Sequence, residues 1–352
     1  MLIIMKKNVL YLFPAFLDHP GLKRKVDGQC HGMTALFNCT LYALSSSKTK
    51  PKWHQFLSYF IYTFKALIKT KDYEIIYCRY NAKFICLFLK LACLSFKKPV
   101  IIEINGDYLS ELSFLNRRLE LWCHQKLMKK FLNSKAHLAF SNTTIYKAVK
   151  AVHPNPSQVH VLQNGYLQNK TPLSDMELTQ LKTLQKTIES LKKPSIKVAA
   201  LVSGVPGPRT VDMLQILSHY PDIKVISIGN NPFKNICPII HHIPPISPRL
   251  LDALLPSFDY GLAPRYRHEI GFTGGSALTT GAYLANGLAV ITDYDDSLST
   301  TTLAPYLINL KKCPTELEEW LTIPKDKSTI ASKAAQVLNW TEIICSLIKK
   351  AC

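Results

Sequence analysis

Short apolar runs recur along this chain, each followed by a longer polar or amphipathic stretch. In the first half they predict strands near Asn8–Phe13, Cys39–Ala43, Glu74–Cys78, Val100–Glu103, Leu138–Phe140 and Val159–Leu162. In the second half the same pattern places strands near Lys197–Val202, Lys224–Ile228, Ile239–His242, Tyr260–Leu262, Ala289–Ile291 and Leu307–Leu310. Near-continuous apolar strands alternating with helical stretches indicate parallel sheets covered by helices, an α/β architecture.

Three helical stretches bear on function. In Trp53–Lys69 the residues Trp53, Phe56, Leu57, Phe60, Ile61, Phe64, Leu67 and Ile68 recur at helical spacing with lysines nearby. Such a stripe either lies on a bilayer or packs on its own sheet, and the strand that follows directly favours packing. Lys83–Lys98 is apolar but broken by Lys90 and too short to span a membrane, so a buried helix is expected. Met176–Lys193 is polar and helix-prone, and reads as a linker or surface helix.

At 352 residues the chain is long enough for two domains, each with its own core. The division expected is 1–170, a linker or surface helix at 171–195, and a second domain at 196–329. Charge separates the halves further. Residues 1–170 hold 25 Lys/Arg against 8 Asp/Glu, while residues 171–352 hold 18 against 16. The first half therefore faces something anionic or simply carries a solvated basic surface; Lys23–Arg24–Lys25, Lys48–Lys50–Lys52, Arg117–Arg118 and Lys126–Lys129–Lys130 supply the charge. The charge permits nucleic-acid binding, but no recognised binding module accompanies it, and no nucleic acid is expected. Ten cysteines are scattered without a CxxC pair or zinc spacing; Cys86, Cys93, Cys237 and Cys345 lie in apolar runs and read as small hydrophobes in a reduced, cytoplasmic protein. The opening stretch imitates a signal peptide, yet Asn8–Phe13 reads equally as a first strand.

The densest chemistry lies between Phe258 and Thr292. A short strand meets a loop with Pro264, Arg265, Arg267, His268 and Glu269; Gly271, Gly274, Gly275 and Ser276 then lead into a helix at Ala277–Ala285. Backbone N–H groups at that helix start, with two arginines beside them, suit an anionic ligand such as a phosphate.

The tail of this segment, AYLANGLAVIT, resembles the donor-site element of glycosyltransferases with the GT-B fold. IIYCRYNAK, PVIIEINGDYLSEL, HVLQNGYL, IKVISIGN and NWTEI resemble, in the same order, further elements of retaining glycosyltransferase family 4. The resemblance implies two Rossmann-like parallel-sheet domains facing a central cleft, with acceptor held mainly by the first domain and nucleotide-sugar donor by the second. It implies that a C-terminal helix, about 330–352, completes the first domain. It implies transfer from a nucleotide sugar without a metal or other cofactor, to a lipid-linked or polysaccharide acceptor of cell-surface glycan synthesis. An enzyme of that kind works at the inner face of the cytoplasmic membrane, against an anionic surface.

Such transfer breaks an anomeric C–O bond to a diphosphate, so cations and N–H donors belong on the leaving phosphate. Arg209, Arg265, Arg267, Gly275 and Ser276 are the candidates. Glu269, Gly229, Asn230 and Thr279 are candidates for the donor sugar and nucleotide. On the acceptor side stand Arg79, Asn105 and Glu111, with Asp107, His19 and Glu103 as candidates for proton transfer; helix capping is the alternative for Asp107. Asp293-Tyr-Asp295 reads as a loop rather than a metal-binding DxD. The chain departs from the family where relatives carry two donor-helix glutamates: Gly274 and Ala282 stand there, and Thr279 stands where some relatives carry lysine. That departure leaves open a sugar-nucleotide epimerase of the same fold and a non-catalytic binder.

Overall fold

The computed structural model describes residues 6–15, 17, 20–44, 52–105, 109, 112–113, 115–141, 143–168, 171–202, 208–229, 239–264, 278–294, 296–310 and 316–352. The chain divides into two compact units, Met1–Gly165 with Asn339–Cys352, and Tyr166–Leu338.

The first unit runs β1 (Asn8–Phe13), α1 (Pro20–Thr34), β2 (Asn38–Ala43), α2 (Lys52–Lys69), β3 (Ile75–Arg79), α3 (Ile85–Leu94), β4 (Val100–Ile104), α4 (Arg118–Leu132), β5 (His137–Phe140), α5 (Thr143–Val152) and β6 (Val159–Val161). The second runs α6 (Asp175–Leu191), β7 (Lys197–Val202), α7 (Pro208–Leu217), β8 (Ile223–Ile228), β9 (Ile239–Ile243), α8 (Pro248–Leu254), β10 (Tyr260–Ala263), α9 (Leu278–Ala285), β11 (Ala289–Thr292), β12 (Leu307–Asn309), α10 (Leu317–Thr322) and α11 (Lys327–Val337). The last helix, α12 (Trp340–Ala351), belongs with the first unit.

All the expected strands are present, within a residue or so at each end. They form two six-stranded sheets, ordered β2-β1-β3-β4-β5-β6 and β12-β11-β10-β7-β8-β9, and every pair is parallel. The α/β class read from the apolar runs is therefore the observed one. Parallel strands need helical crossovers, which cover both sheet faces and make the strands apolar throughout.

Register sorts the first sheet's side chains cleanly. Leu12, Cys78, Ile102, Leu138 and Val159 form one row across five strands, and share a core with α2, α3, α4 and α5. The alternate row turns to the other face, where the Tyr11 hydroxyl donates to Gln29 of α1 at 2.6 Å.

α12 packs on that second face. Asn339 caps it, accepting from the Thr341 N–H at 3.0 Å, and Trp340 is buried against Gly28 and Gly32 of α1. A Cβ on Gly32 would stand 2.6 Å from the Trp340 carbonyl oxygen, so the two helices approach only because that position is glycine. The crossing segment is shorter than the sequence suggests: α11 stays in the second unit, and Asn339 starts a separate helix.

Of the two alternatives for 171–195, the surface helix is the one observed: α6 is largely exposed, and within the second unit its Glu177 accepts from the Ser247 hydroxyl at 2.7 Å and pairs with Arg249 at 3.0 Å. Two expectations need correction. α3 is buried as expected through Leu87, Phe88, Leu91 and Ala92, but Cys86 and Cys93 point outward. An apolar helix of full-turn periodicity covers all its sides, and the sheet buries only one. The stripe of α2 is also split, with Tyr62 and Ala66 buried and Leu57, Phe60, Ile61, Phe64 and Ile68 exposed; the Trp53 and Phe56 side chains lie outside the described residues. No helix among the described residues is long and apolar enough to cross a membrane.

Gly32→Ala should destabilise the first unit by about 1–3 kcal/mol, the usual cost of overpacking a core contact. Circular-dichroism melting would show a lower midpoint; an unchanged midpoint would mean that α12 does not seat on α1 as described.

Candidate functional site

In each sheet the strand order reverses once, between β1 and β3 in the first unit and between β7 and β10 in the second. Crossovers leave such a point in opposite directions, so the carboxyl ends of the two central strands open a crevice where ligands of α/β proteins bind.

In the first unit that crevice is edged by Phe13, the last residue of β1, and Arg79, the last of β3. The Arg79 guanidinium lies over the Phe13 ring, 5.3 Å from its centroid. Among the described residues the buried Arg79 Nη1 has no hydrogen-bond partner, and neither has Gln163 Nε2, just past β6. Buried donors of this kind are rare enough to mark a place for an acceptor group.

Beneath Arg79 lies a saturated charge network. Glu103 of β4 is fully buried, and its Oε2 accepts from Tyr77 at 2.6 Å and from Gln29 at 2.7 Å. Its Oε1 pairs with Lys25 of α1 at 2.9 Å and accepts from Asn105 at 2.6 Å. The Lys25 ammonium also donates to Asn105 Oδ1 at 2.6 Å, closing a triangle. Burial alone raises the Glu103 carboxyl, but the Lys25 and Arg79 charges and the bonds from Tyr77 and Lys25 outweigh it and hold it at about 2. Burial lowers the Lys25 ammonium, and Glu103 opposes that fall.

This overturns Glu103 as a proton acceptor. A general base titrates near working pH and reaches its substrate, whereas Glu103 is walled in by donors. Glu103 instead fixes Asn105, an acceptor candidate, at the strand end. Lys25 also changes meaning: it is buried, not one of a solvated KRK cluster. Nothing local in the sequence ties Lys25 to Glu103, so the pairing appears only with the fold. Gln29 and Gln163 are not legible as site residues in the sequence, because neutral amides carry no charge or motif that marks them. His19, Asp107 and Glu111 lie outside the described residues.

In the second unit the two glycine-rich segments leave the sheet at the reversal point: one follows β7 after Val202, the other follows β10 after Ala263. Residues 203–207 and 265–277 are outside the description, and with them Arg265, Arg267, Glu269, Gly275 and Ser276. Asn230 is outside it too, as is the side chain of Arg209, which sits in the first turn of α7.

What holds the site's framework is described. Tyr283 of α9 is buried with its ring against Gly261 of β10, where a Cβ would overlap it. Its hydroxyl accepts from the Val202 N–H at the end of β7, at 2.8 Å, and burial keeps it protonated by pushing its pKa up. One side chain thus ties α9 to both strands that flank the crevice. Thr279 is half-buried in the first turn of α9. Thr280 beside it shares a 3.0 Å hydrogen bond with Tyr294, whose hydroxyl donates to Asp296 at 2.9 Å. Asn286 and Gly287 end α9; Gly287 has φ +80°, and Leu288 N–H reaches back to the Tyr283 carbonyl at 3.0 Å. Gly229, the other glycine expected at a strand end, has φ +126° directly after β8, a conformation reserved for glycine.

Asp293 is buried and Asp296 caps a short turn, while Asp295 between them lies outside the described residues. Among the described residues no three His, Cys, Asp or Glu side chains gather as a metal site.

The depressed Glu103 pKa has a sign. Its contribution to stability is complete above about 4.5, where an unfolded glutamate is ionised, and is lost as pH falls towards about 2. Lys25→Met, which leaves the carboxylate buried without its cation, should cost about 3–5 kcal/mol at neutral pH. Acid-unfolding curves should then show the variant losing its dependence on pH across that window; retained wild-type stability would refute the buried pair.

No family model matches the sequence, and no curated protein matches it. Solved structures do match along the whole chain. Sucrose-phosphate synthase from Thermosynechococcus elongatus is 12% identical, with 98% of each chain covered and a TM-score of 0.66. Anabaena Alr3699/HepE, solved in complex with UDP and glucose, is 11% identical over 97% of this chain and 98% of that one, with a TM-score of 0.61. WaaG, a glycosyltransferase involved in lipopolysaccharide biosynthesis, is 11% identical over 98% and 94%, with a TM-score of 0.52. At such identities the likeness is one of fold, and the fold is GT-B: two Rossmann-like units, here completed in the first by α12.

Proposed function

We propose that this protein is a glycosyltransferase that moves a sugar from a nucleotide-sugar donor to a lipid-linked or polysaccharide acceptor in cell-surface glycan synthesis. The observation that carries the proposal is the end-to-end likeness of fold to a sucrose-phosphate synthase and to a protein solved in complex with UDP and glucose. The pathway follows the likeness to WaaG and the basic first half of the chain.

In this proposal the donor diphosphate lies at the reversal point of the second sheet. Negative charge grows on the departing phosphate as the anomeric bond breaks, and fixed cations and N–H groups there lower the barrier. Arg265 and Arg267 after β10, Arg209 at the start of α7, and Gly275 and Ser276 ahead of α9 fill that role, with no metal needed. Gly229 and Asn230, after β8, take the nucleotide, with Glu269 and Thr279 towards the sugar. In the first unit Arg79 and Asn105 bind the acceptor, with Glu111 as a further candidate. Asp107 and His19 remain the candidates for proton transfer, since Glu103 is consumed by its network.

A second reading keeps the ligand but not the reaction. Ala282 stands where relatives carry a glutamate, and it is buried in the apolar core of the second unit. This favours a non-catalytic binder of sugar nucleotides. Epimerisation of the donor is the remaining alternative, distinguished by the product.

A thermal-shift series with UDP-, GDP-, ADP-, CMP- and dTDP-sugars tests the donor site. A ligand at a hundredfold its Kd stabilises by about 2.7 kcal/mol. One nucleotide class should raise the midpoint, Arg265→Ala should abolish the rise, and Arg79→Ala, in the other unit, should leave it intact. No rise with any nucleotide sugar would refute the proposal.

A further inference from the structure

The helical layer formed by α2, α3, α4 and α5 stands apart from the rest of the molecule. These helices share one face of the first sheet, with α2 beside α3 and α3 beside α4. Together they carry ten Lys/Arg: three in α2, one in α3, four in α4 and two in α5. Against these stands a single acid, Glu120, which is already engaged by Arg117 at 3.6 Å and Lys83 at 4.0 Å.

The same layer displays large apolar side chains to solvent. On α2 they are Leu57, Phe60, Ile61, Phe64 and Ile68, spaced so that they fall on one side of the helix. Phe60 is 68% exposed and Phe64 61% exposed. On α4, Leu119 and Trp122 are 75% and 52% exposed, with the Lys126 ammonium 5.8 Å from the Trp122 ring centroid.

α2 is not loosely held. Tyr62 is buried, donates to the Tyr42 carbonyl at 3.0 Å and stacks on the Tyr42 ring at 4.9 Å, while Tyr59 and Tyr62 both meet Phe84 edge-on. Its inner side is thus fully used, and its outer side is an apolar ridge on a rigid support. Soluble surfaces scatter such residues singly, and a contiguous ridge marks an interaction surface.

The charge decides the occupant. A second copy of this chain would set one basic layer against another, with one acid per copy to offset it. A bilayer rich in anionic lipid offers the complement: negative headgroups for the lysines and an acyl boundary for the aromatic and aliphatic side chains. We infer that the α2–α5 layer is a membrane-docking surface, in which α2 lies along an anionic bilayer with Phe60 and Phe64 inserted below the headgroups and the basic residues of α4 and α5 at headgroup level. Long lysine side chains extend along the apolar surface while their ammonium groups stay in water, which suits such a depth. The inference extends the proposal of a lipid-linked acceptor by naming the face that meets the lipid, and it can hold or fail independently of the donor.

Co-sedimentation with vesicles tests it. The full-length protein is mixed with phosphatidylcholine vesicles, or with phosphatidylcholine containing phosphatidylglycerol, at low and high salt. Binding should require phosphatidylglycerol and weaken with salt. Phe60→Ser with Phe64→Ser should weaken partitioning on the order of a hundredfold, since each buried aromatic is worth well over a tenfold factor. Lys126→Glu with Lys130→Glu should do the same on anionic vesicles, and Lys349→Glu with Lys350→Glu, on α12 across the sheet, should have a much smaller effect. Because the altered side chains are exposed, melting midpoints and any shift with nucleotide sugars should be unchanged in all three variants. Equal binding to neutral vesicles, or wild-type binding by the Phe60/Phe64 variant, would overturn the inference. So would a stable dimer in sedimentation velocity that the Phe60/Phe64 variant abolishes, because the ridge would then belong to a second copy. A nucleotide-sugar shift without vesicle binding would leave the donor proposal standing and remove this one.

Discussion

A parallel sheet that reverses its strand order must open at the reversal, because the crossovers leave that point in opposite directions. The organisation of this molecule follows from that constraint, applied twice. In the first unit the opening is edged by Phe13 and Arg79, in the second by the ends of β7 and β10. Val202 and Ala263, the last residues of the two strands that flank the second opening, are also where the two glycine-rich segments begin in the sequence. Tyr283 holds the opening to size: its ring occupies the space that a side chain at Gly261 would take, and its hydroxyl satisfies the Val202 N–H.

The first unit solves a different problem. A carboxylate with no solvent exposure is tolerable only when its charge and its lone pairs are all met. Lys25, Gln29, Tyr77 and Asn105 meet them, and through Asn105 the network orders the strand end beside Arg79. Arg79 adds positive charge to the same cluster, while among the described residues its Nη1 has no hydrogen-bond partner. An anion held there would find a cation whose position is set by a ring beneath it and a carboxylate behind it.

The strands were legible because burial on both faces makes each of them an apolar run; β3, β4 and β8 need no other signal. The α/β class and the two-unit order follow from the same pattern. The partners of individual side chains were not legible. Lys25 lies 80 residues from Asn105, and a KRK triplet looks the same whether its last lysine is solvated or buried. α2 illustrates another limit: helical periodicity shows that a stripe is apolar, but only the fold shows that Tyr62 and Ala66 use the inner side and leave Phe60 and Phe64 outside. Backbone conformation explains the glycines at 229 and 287, which any sequence reading can name, whereas the donors around Glu103 come from three separate elements and appear only with the fold.

Turnover tests the central claim most directly. The protein is incubated with the nucleotide sugar that it binds and with a total lipid extract as acceptor, and release of nucleoside diphosphate is followed. The account predicts release that depends on the lipid, with the label of the sugar carried into the lipid fraction. Binding of the donor with no release, or conversion of the donor to its epimer without lipid, would contradict it.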